Sequence, residues 1–342
     1  MDPVASLGLV GLTRRLVDID STTGREGECG RVLADYLRGR GFSVVEQPVD
    51  DTRFNVLATL DAPRVTLSTH FDCVPPFFPS RLERGASPDG GGRLYGRGSC
   101  DAKGILSAQV EAVEQLRAGG VRDVGLLFVV GEERGSDGAE VANTQAPPTS
   151  RFLVNGEPTD NRLGLATRGV YRVRLHAHGR AAHSSYPELG ESAIEKLIDV
   201  MVRMRTMPWP SDPDLGRTHY NIGLVDGGVA PNVTPPHAVA EILFRTVADT
   251  QAVREVLSTL ASVVTIEEVL EGPPVRMHVV DGFETAVFPY MTDIALLPNW
   301  GQPLLYGPGS ILVAHTDDEH VEIAHLERAV ADYVRLATDL RA

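Results

Sequence analysis

The chain has 342 residues, 42% of them hydrophobic and 23% charged, which is the profile of a globular protein long enough for two domains and excludes a disordered or fibrous one. With 32 Lys and Arg against 46 Asp and Glu the formal net charge is −14, so the surface repels phosphate, and neither nucleic acid nor an anionic membrane is an expected partner. Three scattered cysteines, Cys29, Cys73 and Cys100, are too few for a disulfide framework, and no apolar run approaches the roughly 20 residues of a membrane helix.

The first twenty residues lack a leading basic region, and their apolar run is interrupted at Arg14 and Arg15. They read as an amphipathic helix and not as a signal peptide, so a cytoplasmic location is the default expectation. Helical spacing predicts helices over 6–19 and 29–41, the second stopping at a glycine. Strands are predicted over 42–49, 54–60 and 64–70. A glycine-rich loop, GGGRLYGRGSCD, then opens a helix over 101–120, with Asp101 placed to cap it and glycines to end it. Strands over 124–130 and 151–155 follow. Such alternation predicts an α/β fold with a mostly parallel sheet and helices on both faces.

From about residue 165 the pattern changes. The stretch GVYRVRLHAHG alternates apolar and polar residues, as a strand with one wet face does. A helix over 191–205, strands over 218–228 and 237–247, a helix over 250–263 and a strand over 265–272 complete the order β-α-β-β-α-β. This is the split motif of a ferredoxin-like domain, expected at 165–272 and inserted between 1–164 and 273–342 of one α/β domain. Beyond it a helix over 289–300, a strand over 310–316 and a closing helix over 320–340 are predicted.

Several apolar runs deliver a metal-ligand type just past their ends: RVTLST reaches His70 and then Asp72, LLFVVG reaches Glu132 and Glu133, RFLVNG reaches Glu157, and SILVA reaches His315. The crevice beyond the carboxyl ends of an open α/β sheet is where sites assemble. Taken singly, each has a plainer reading: Asp101 as a helix cap, Glu157 as a turn residue, His315 as a buried hydrogen-bonded imidazole, and Glu132–Glu133 as a solvated turn. Together they read as a metal centre, which also accounts for part of the excess acid. Imidazole and carboxylate suit zinc, with manganese or cobalt as replacements, and this many donors exceed one tetrahedral ion but fit a pair. Cys73 and Cys100 leave a closed His/Cys structural site as a competitor, with packing the favoured role for both.

At these residues the chain resembles the co-catalytic zinc exopeptidases and deacylases, a family that includes acetylornithine deacetylase, succinyl-diaminopimelate desuccinylase, aminoacylase-1 and glutamate carboxypeptidase. The resemblance is carried by STHFDCVPP, LYGRGSCDAKG, VVGEERGSDG, NGEPT, HGRAAHSS, GGVAPNVTP and GPGSILVAHTDDEH, which occur in the family's order across nearly the whole chain. It implies a zinc-exopeptidase catalytic domain with an inserted dimerisation domain, and two divalent ions bridged by Asp101. His70 and Glu157 would complete one ion, Glu133 and His315 the other. Asp72 would orient His70, and Glu132 would be the general base. His183 would reach the partner subunit's active site in a homodimer and polarise the scissile carbonyl. Asn232, Arg245 and the backbone near Gly309 would hold the substrate's carboxylate.

The family's chemistry implies attack of a metal-bound hydroxide on an amide. Overall similarity to the deacetylase branch points first to removal of a small acyl group from an N-acyl amino acid. A dipeptidase or carboxypeptidase is the alternative, and a catalytically silent metal-binding scaffold a second one. Departures from the pattern are FRT around Arg245, where many relatives have an acid before the arginine, and His320, which reads as structural where relatives carry an aromatic residue. His176 and His178 read as solvated on an exposed strand.

Overall fold

The computed structural model describes residues 7–85 and 91–342; Ser6, where the first helix was expected to start, and Gly90 of the glycine-rich loop lie outside them. The chain divides into two compact units. One comprises Met1–Leu165, Arg276–Ala286 and Thr292–Ala342, and the other Ala166–Val275 and Val287–Met291.

The larger unit is built on a six-stranded sheet in the order Ser43–Pro48, Phe54–Thr59, Val124–Val129, Val65–His70, Phe152–Asn155, Gln302–Leu305. The first two junctions are antiparallel and the other three parallel. Val65–His70 and Val124–Val129 are buried at every position, as central strands covered on both faces must be. Successive side chains point to opposite faces. Thus Leu126 joins a core with Leu33, Leu67, Ile105 and Tyr333, while its neighbour Leu127 joins one with Ala139, Leu153 and Trp300. The buried Lys103 ammonium donates to the carbonyls of Leu16 and Ile19, tying the helix Lys103–Ala118 to the end of Leu9–Val17.

Four expectations fail locally. The helix over 289–300 is two short 3-10 turns, Asp293–Leu296 and Pro298–Trp300, because Pro298 cannot continue a helix and Trp300 is drawn inward, its indole N–H donating to the Ala142 carbonyl at 3.1 Å. The strand over 310–316 is a run of turns closed by Val313 N–H to the Ser310 carbonyl and Thr316 N–H to Val313; the parallel edge strand is Gln302–Leu305. Asp101 does not cap its helix, which starts at Lys103 after Ala102. The last helix starts at Ile323, and His320 instead pairs with Tyr95 in a small sheet of Arg81–Glu83, Arg93–Tyr95 and His320–Glu322.

The smaller unit holds an antiparallel sheet in the order His219–Gly227, His237–Thr246, Gly169–His178, Val264–Gly272, with the helices Ala193–Met204 and Thr250–Ser258, a ferredoxin-like arrangement. Tyr171, Val173, Leu175, Ile242 and Phe244 alternate into a core with Leu197, Val200 and Val253 from those helices. Arg172, Arg174, His176 and Glu241 occupy the other, more open face.

Candidate metal centre and active site

Three buried parallel strands end at one place. His70 closes Val65–His70, Glu132 and Glu133 form a turn just beyond Val124–Val129, and Glu157 follows Phe152–Asn155 by two residues. The turn is possible because Gly131 has φ 78°, and a Cβ there would collide with Asp137 Oδ1. Asp101 and His315 arrive from the two loops that the sequence pattern placed less well.

Asp101 lies between the two histidines. Its Oδ1 is 3.0 Å from His70 Nε2 and its Oδ2 3.3 Å from His315 Nε2, which also lies 2.9 Å from Glu133 Oε1. The donor atoms form two groups, His70–Asp101–Glu157 and Asp101–Glu133–His315, each with its atoms within 4.8 Å of one another. Asp101 belongs to both. Glu157 is buried, and its Oε1 has no hydrogen-bond partner among the described residues.

The electrostatics call for cations. Burial pushes the Glu132, Glu133 and Glu157 carboxyls up, Glu157 adding to the effect on Glu132. Burial alone would lower the His70 imidazole, yet Asp101 and Asp72 carry it well above its ordinary value. Asp101 and Glu133 push His315 up to about 10. Asp101 resists burial because both imidazoles bond it, and its carboxyl falls below the usual range. Crowded acids that hold protons on two histidines are a donor set suited to divalent metal. The orphaned Glu157 oxygen and the two-sided Asp101 fit a pair of ions.

Asp72 touches both His70 and the turn that carries the two glutamates. Its carboxylate accepts the N–H groups of Glu132 and Glu133 at 3.1 and 3.2 Å and the Thr23 hydroxyl at 2.8 Å. Its backbone carbonyl lies 3.1 Å from His70 Nδ1, closer than Oδ1 at 3.4 Å. One residue therefore fixes the turn of both glutamates and the tautomer of His70.

Two residues escaped the sequence reading. Glu319 is fully buried: its Oε1 accepts the N–H groups of Gly98, Cys100 and Asp101 at 2.9, 3.2 and 3.1 Å, and its Oε2 receives Arg97 at 2.7 Å. It locks the backbone that presents Asp101. Its only signal was an acidic run, Asp317–Asp318–Glu319, in which nothing marks the inward member. Asp293, also buried, has no hydrogen-bond partner for either oxygen among the described residues, and its segment reads as helix. Burial outweighs the favourable field of His70 and pushes its carboxyl up to about 7.

The cysteines stand outside the donor groups. Burial pushes the Cys73 thiol up to about 11 and Cys100 well above its ordinary value, which disfavours thiolate ligation. Cys100 packs on Gly309, whose φ of 81° and 2.5 Å Cβ-to-sulfur approach leave no room for a side chain. His320 stacks on Tyr95 at 4.9 Å. In the smaller unit His183 and Asn232 are exposed in adjoining loops, with the Ser184 N–H donating to the Asn232 carbonyl at 3.0 Å. Arg245 lies opposite His219 in the sheet.

Carboxylates and imidazoles gathered at the strand ends of a mostly parallel sheet, in a chain that also carries a ferredoxin-like unit, define the class of two-domain metallohydrolases. Residues 165–269 match the model of the peptidase dimerisation domain of the M20 peptidases. A probable carboxypeptidase of Aspergillus fumigatus is 38% identical, the match covering 98% of this chain and 87% of that protein. A peptidase M20 domain-containing protein of Schizosaccharomyces pombe is 35% identical, with 96% and 84% covered. The chain belongs to the M20 peptidase family and is a hydrolase of amide bonds. Its fold is similar to that of a tripeptidase from Staphylococcus aureus, at TM-score 0.80, 20% identity and 98% coverage of both chains. It is also similar to a Bacillus subtilis protein described as a dinuclear metal-binding M20 peptidase, at TM-score 0.69, 16% identity and 96% coverage of both.

Proposed function

We propose that the chain is a metal-dependent carboxypeptidase, cleaving amides whose leaving amine carries a free α-carboxylate. The observation that carries the reading furthest is Arg245, whose guanidinium has no hydrogen-bond or ion-pair partner among the described residues. Burial pulls its pKa down, a cost that a bound carboxylate offsets. Removal of a small acyl group, the leading expectation from the motifs, yields its place because the 38%-identical relative is named a carboxypeptidase. Both reactions release an amine bearing a carboxylate, so the motifs do not separate them.

His70, Asp101 and Glu157 would hold one ion and Asp101, Glu133 and His315 the other. When bound, two divalent ions, zinc on this donor set with cobalt or manganese as substitutes, polarise the carbonyl and bring the pKa of a water to about 7. Glu132 takes the proton of the attacking water and delivers it to the leaving amine. Asp72 holds the Glu132 backbone in place for that transfer. His183 polarises the carbonyl, and Asn232, Arg245 and the backbone near Gly309 hold the carboxylate.

The working form is a homodimer through the smaller unit. Its edge strand His219–Gly227 exposes Leu224 and Val225, and the helix Ala193–Met204 exposes Ile198 and Val202, which suits a symmetric contact. Sedimentation that gives a monomer mass at working concentration would rule this out.

The test of the activity is a panel of N-blocked dipeptides with free and amidated C-termini beside N-acetyl amino acids. Free-carboxylate peptides should be cleaved about 10–100-fold faster than their amides, the worth of one charge-assisted contact. Chelation should abolish turnover, and added zinc should restore it. Equal rates on amidated peptides would overturn the carboxylate reading, and faster turnover of N-acetyl amino acids would restore the deacylase.

A further inference from the structure

The open face of the smaller unit's sheet carries three histidines that none of these roles uses. His176 and His178 lie two residues apart on Gly169–His178, so their side chains share a face. His237 begins the neighbouring strand directly opposite His178. The Gly179 N–H donates to the Pro236 carbonyl at 2.8 Å, the bond that flanks a narrow, non-hydrogen-bonded pair. The His178 and His237 side chains therefore stand at the closest spacing a sheet provides. Ring centroids are 5.4 Å apart for His178–His237 and 5.7 Å for His176–His237.

We infer that His176, His178 and His237 form a further metal site, separate from the strand-end centre, for a late first-row divalent ion such as Zn²⁺, Ni²⁺ or Cu²⁺. Two imidazoles at i and i+2 on one strand and a third across from them let three nitrogens converge on one ion at about 2.0–2.1 Å. Imidazole donors without thiolate suit these metals. The nitrogens are not converged in the present arrangement: among the described residues, only the two strand-end groups have donor atoms within 4.8 Å of one another. Rotation about side-chain bonds is what the ion must drive. His178 and His237 are exposed and free to make it.

An independent contact points the same way. His176 Nε2 lies 2.8 Å from Glu267 Oε2. An Nε2–H donated to that carboxylate leaves the Nδ1 lone pair for metal, and a carboxylate behind the imidazole is how ligand histidines are generally held. The arginines on this face do not oppose a cation unscreened. Arg174 is paired with Glu241 and Glu267 at 2.8 and 3.1 Å, and Arg172 with Glu241 at 3.4 Å. The remaining coordination position faces solvent and is open to water or an exogenous ligand.

The test is a metal titration of the full-length chain with Zn²⁺, and separately with Cu²⁺, after stripping. The wild type should take up one ion more per chain than His178→Asn or His237→Asn, and the same difference should persist in an Asp101→Ala background. That background makes the result independent of the strand-end centre. The Cu²⁺ taken up by the extra site should add a paramagnetic resonance component coupled to three nitrogens, absent from either variant, while peptide hydrolysis stays unchanged. His176→Gln should weaken the extra site about tenfold or more, and Glu267→Gln less, since it removes only the carboxylate behind the ring. Equal metal uptake by the wild type and both asparagine variants would overturn the inference.

Discussion

In the larger unit, most of the candidate site residues at the strand ends are held by another buried group. Asp72 bonds the backbone of Glu132 and Glu133, Glu319 bonds the backbone of Asp101, and Asp101 lies against both histidines. In the smaller unit the corresponding groups are barely held. His183 and Asn232 are exposed in loops, and Arg245 and the three histidines depend on strand register for their placement. The difference has a physical origin. Crowded carboxylates in a poorly solvated crevice repel one another and must be pinned, whereas groups on a wet sheet face meet little field and need only alternate correctly. Replacing residues that touch neither metal nor substrate should therefore damage the first region and leave the second largely intact.

The largest effect is expected where two adjacent acids divide their work. Glu132→Gln keeps shape and polarity but cannot accept a proton, so turnover should fall by about two to four decades with full metal content. Glu133→Gln should lose affinity for one ion, with activity partly recovered by excess metal. Metal analysis and turnover on both variants check this. The reverse pattern, metal lost from Glu132→Gln and kept by an inactive Glu133→Gln, would exchange the two roles.

Next in size is Glu319, which touches no proposed ligand side chain. Glu319→Gln leaves one acceptor where the carboxylate took three N–H groups and a guanidinium, and it strands Arg97 in a buried position. Metal affinity should fall about 10–100-fold, as for other groups that orient ligands. Asn232→Ala, in the loosely held region, should leave metal affinity unchanged and alter only KM. If both variants bind metal like the wild type, pinning by Glu319 is not what distinguishes the regions.

What could be read from the sequence follows the same division. The candidate site residues His70, Glu132, Glu133 and Glu157 stand out because each ends or follows an apolar run that must be a buried strand. His315 was found through a run that is not a strand at all: SILVA is apolar, but it turns through i→i+3 bonds and leaves Leu312 84% exposed. Asp101 reads as the cap of its helix, yet the cap position falls to Ala102, which has no capping side chain. Glu319 and Asp293 were invisible because their importance lies in what they meet across 218 residues or under a different fold of their own segment. The cross-strand partner of His178 was equally hidden, since register between strands is set by pairing and not by local pattern.

The smallest effect probes how far the crowding extends beyond the ligands. Asp293 is buried without a hydrogen-bond partner among the described residues, and burial pushes its carboxyl up to about 7 from an ordinary value near 3.8. In the metal-stripped protein the folded state therefore holds a proton on this group across a pH range where the unfolded chain has released it. The folded state binds more protons, so this group's contribution is most favourable below about pH 4. It is lost progressively as pH rises toward 7, and it is constant above that. Asp293→Asn removes the titration while keeping the side chain's size. Its gain in stability over the wild type should be near zero at the acid end, grow between about pH 4 and 7, and level off at roughly 2–4 kcal/mol by pH 8. Thermal midpoints of both chelated proteins across that range read the difference directly. Added divalent metal should shrink it, because ions at the strand ends offset the field that raises the carboxyl. A gain independent of pH would mean that packing, not the crowding of acids, sets the cost of Asp293, and the pinned region would then end at Glu319 and Asp72.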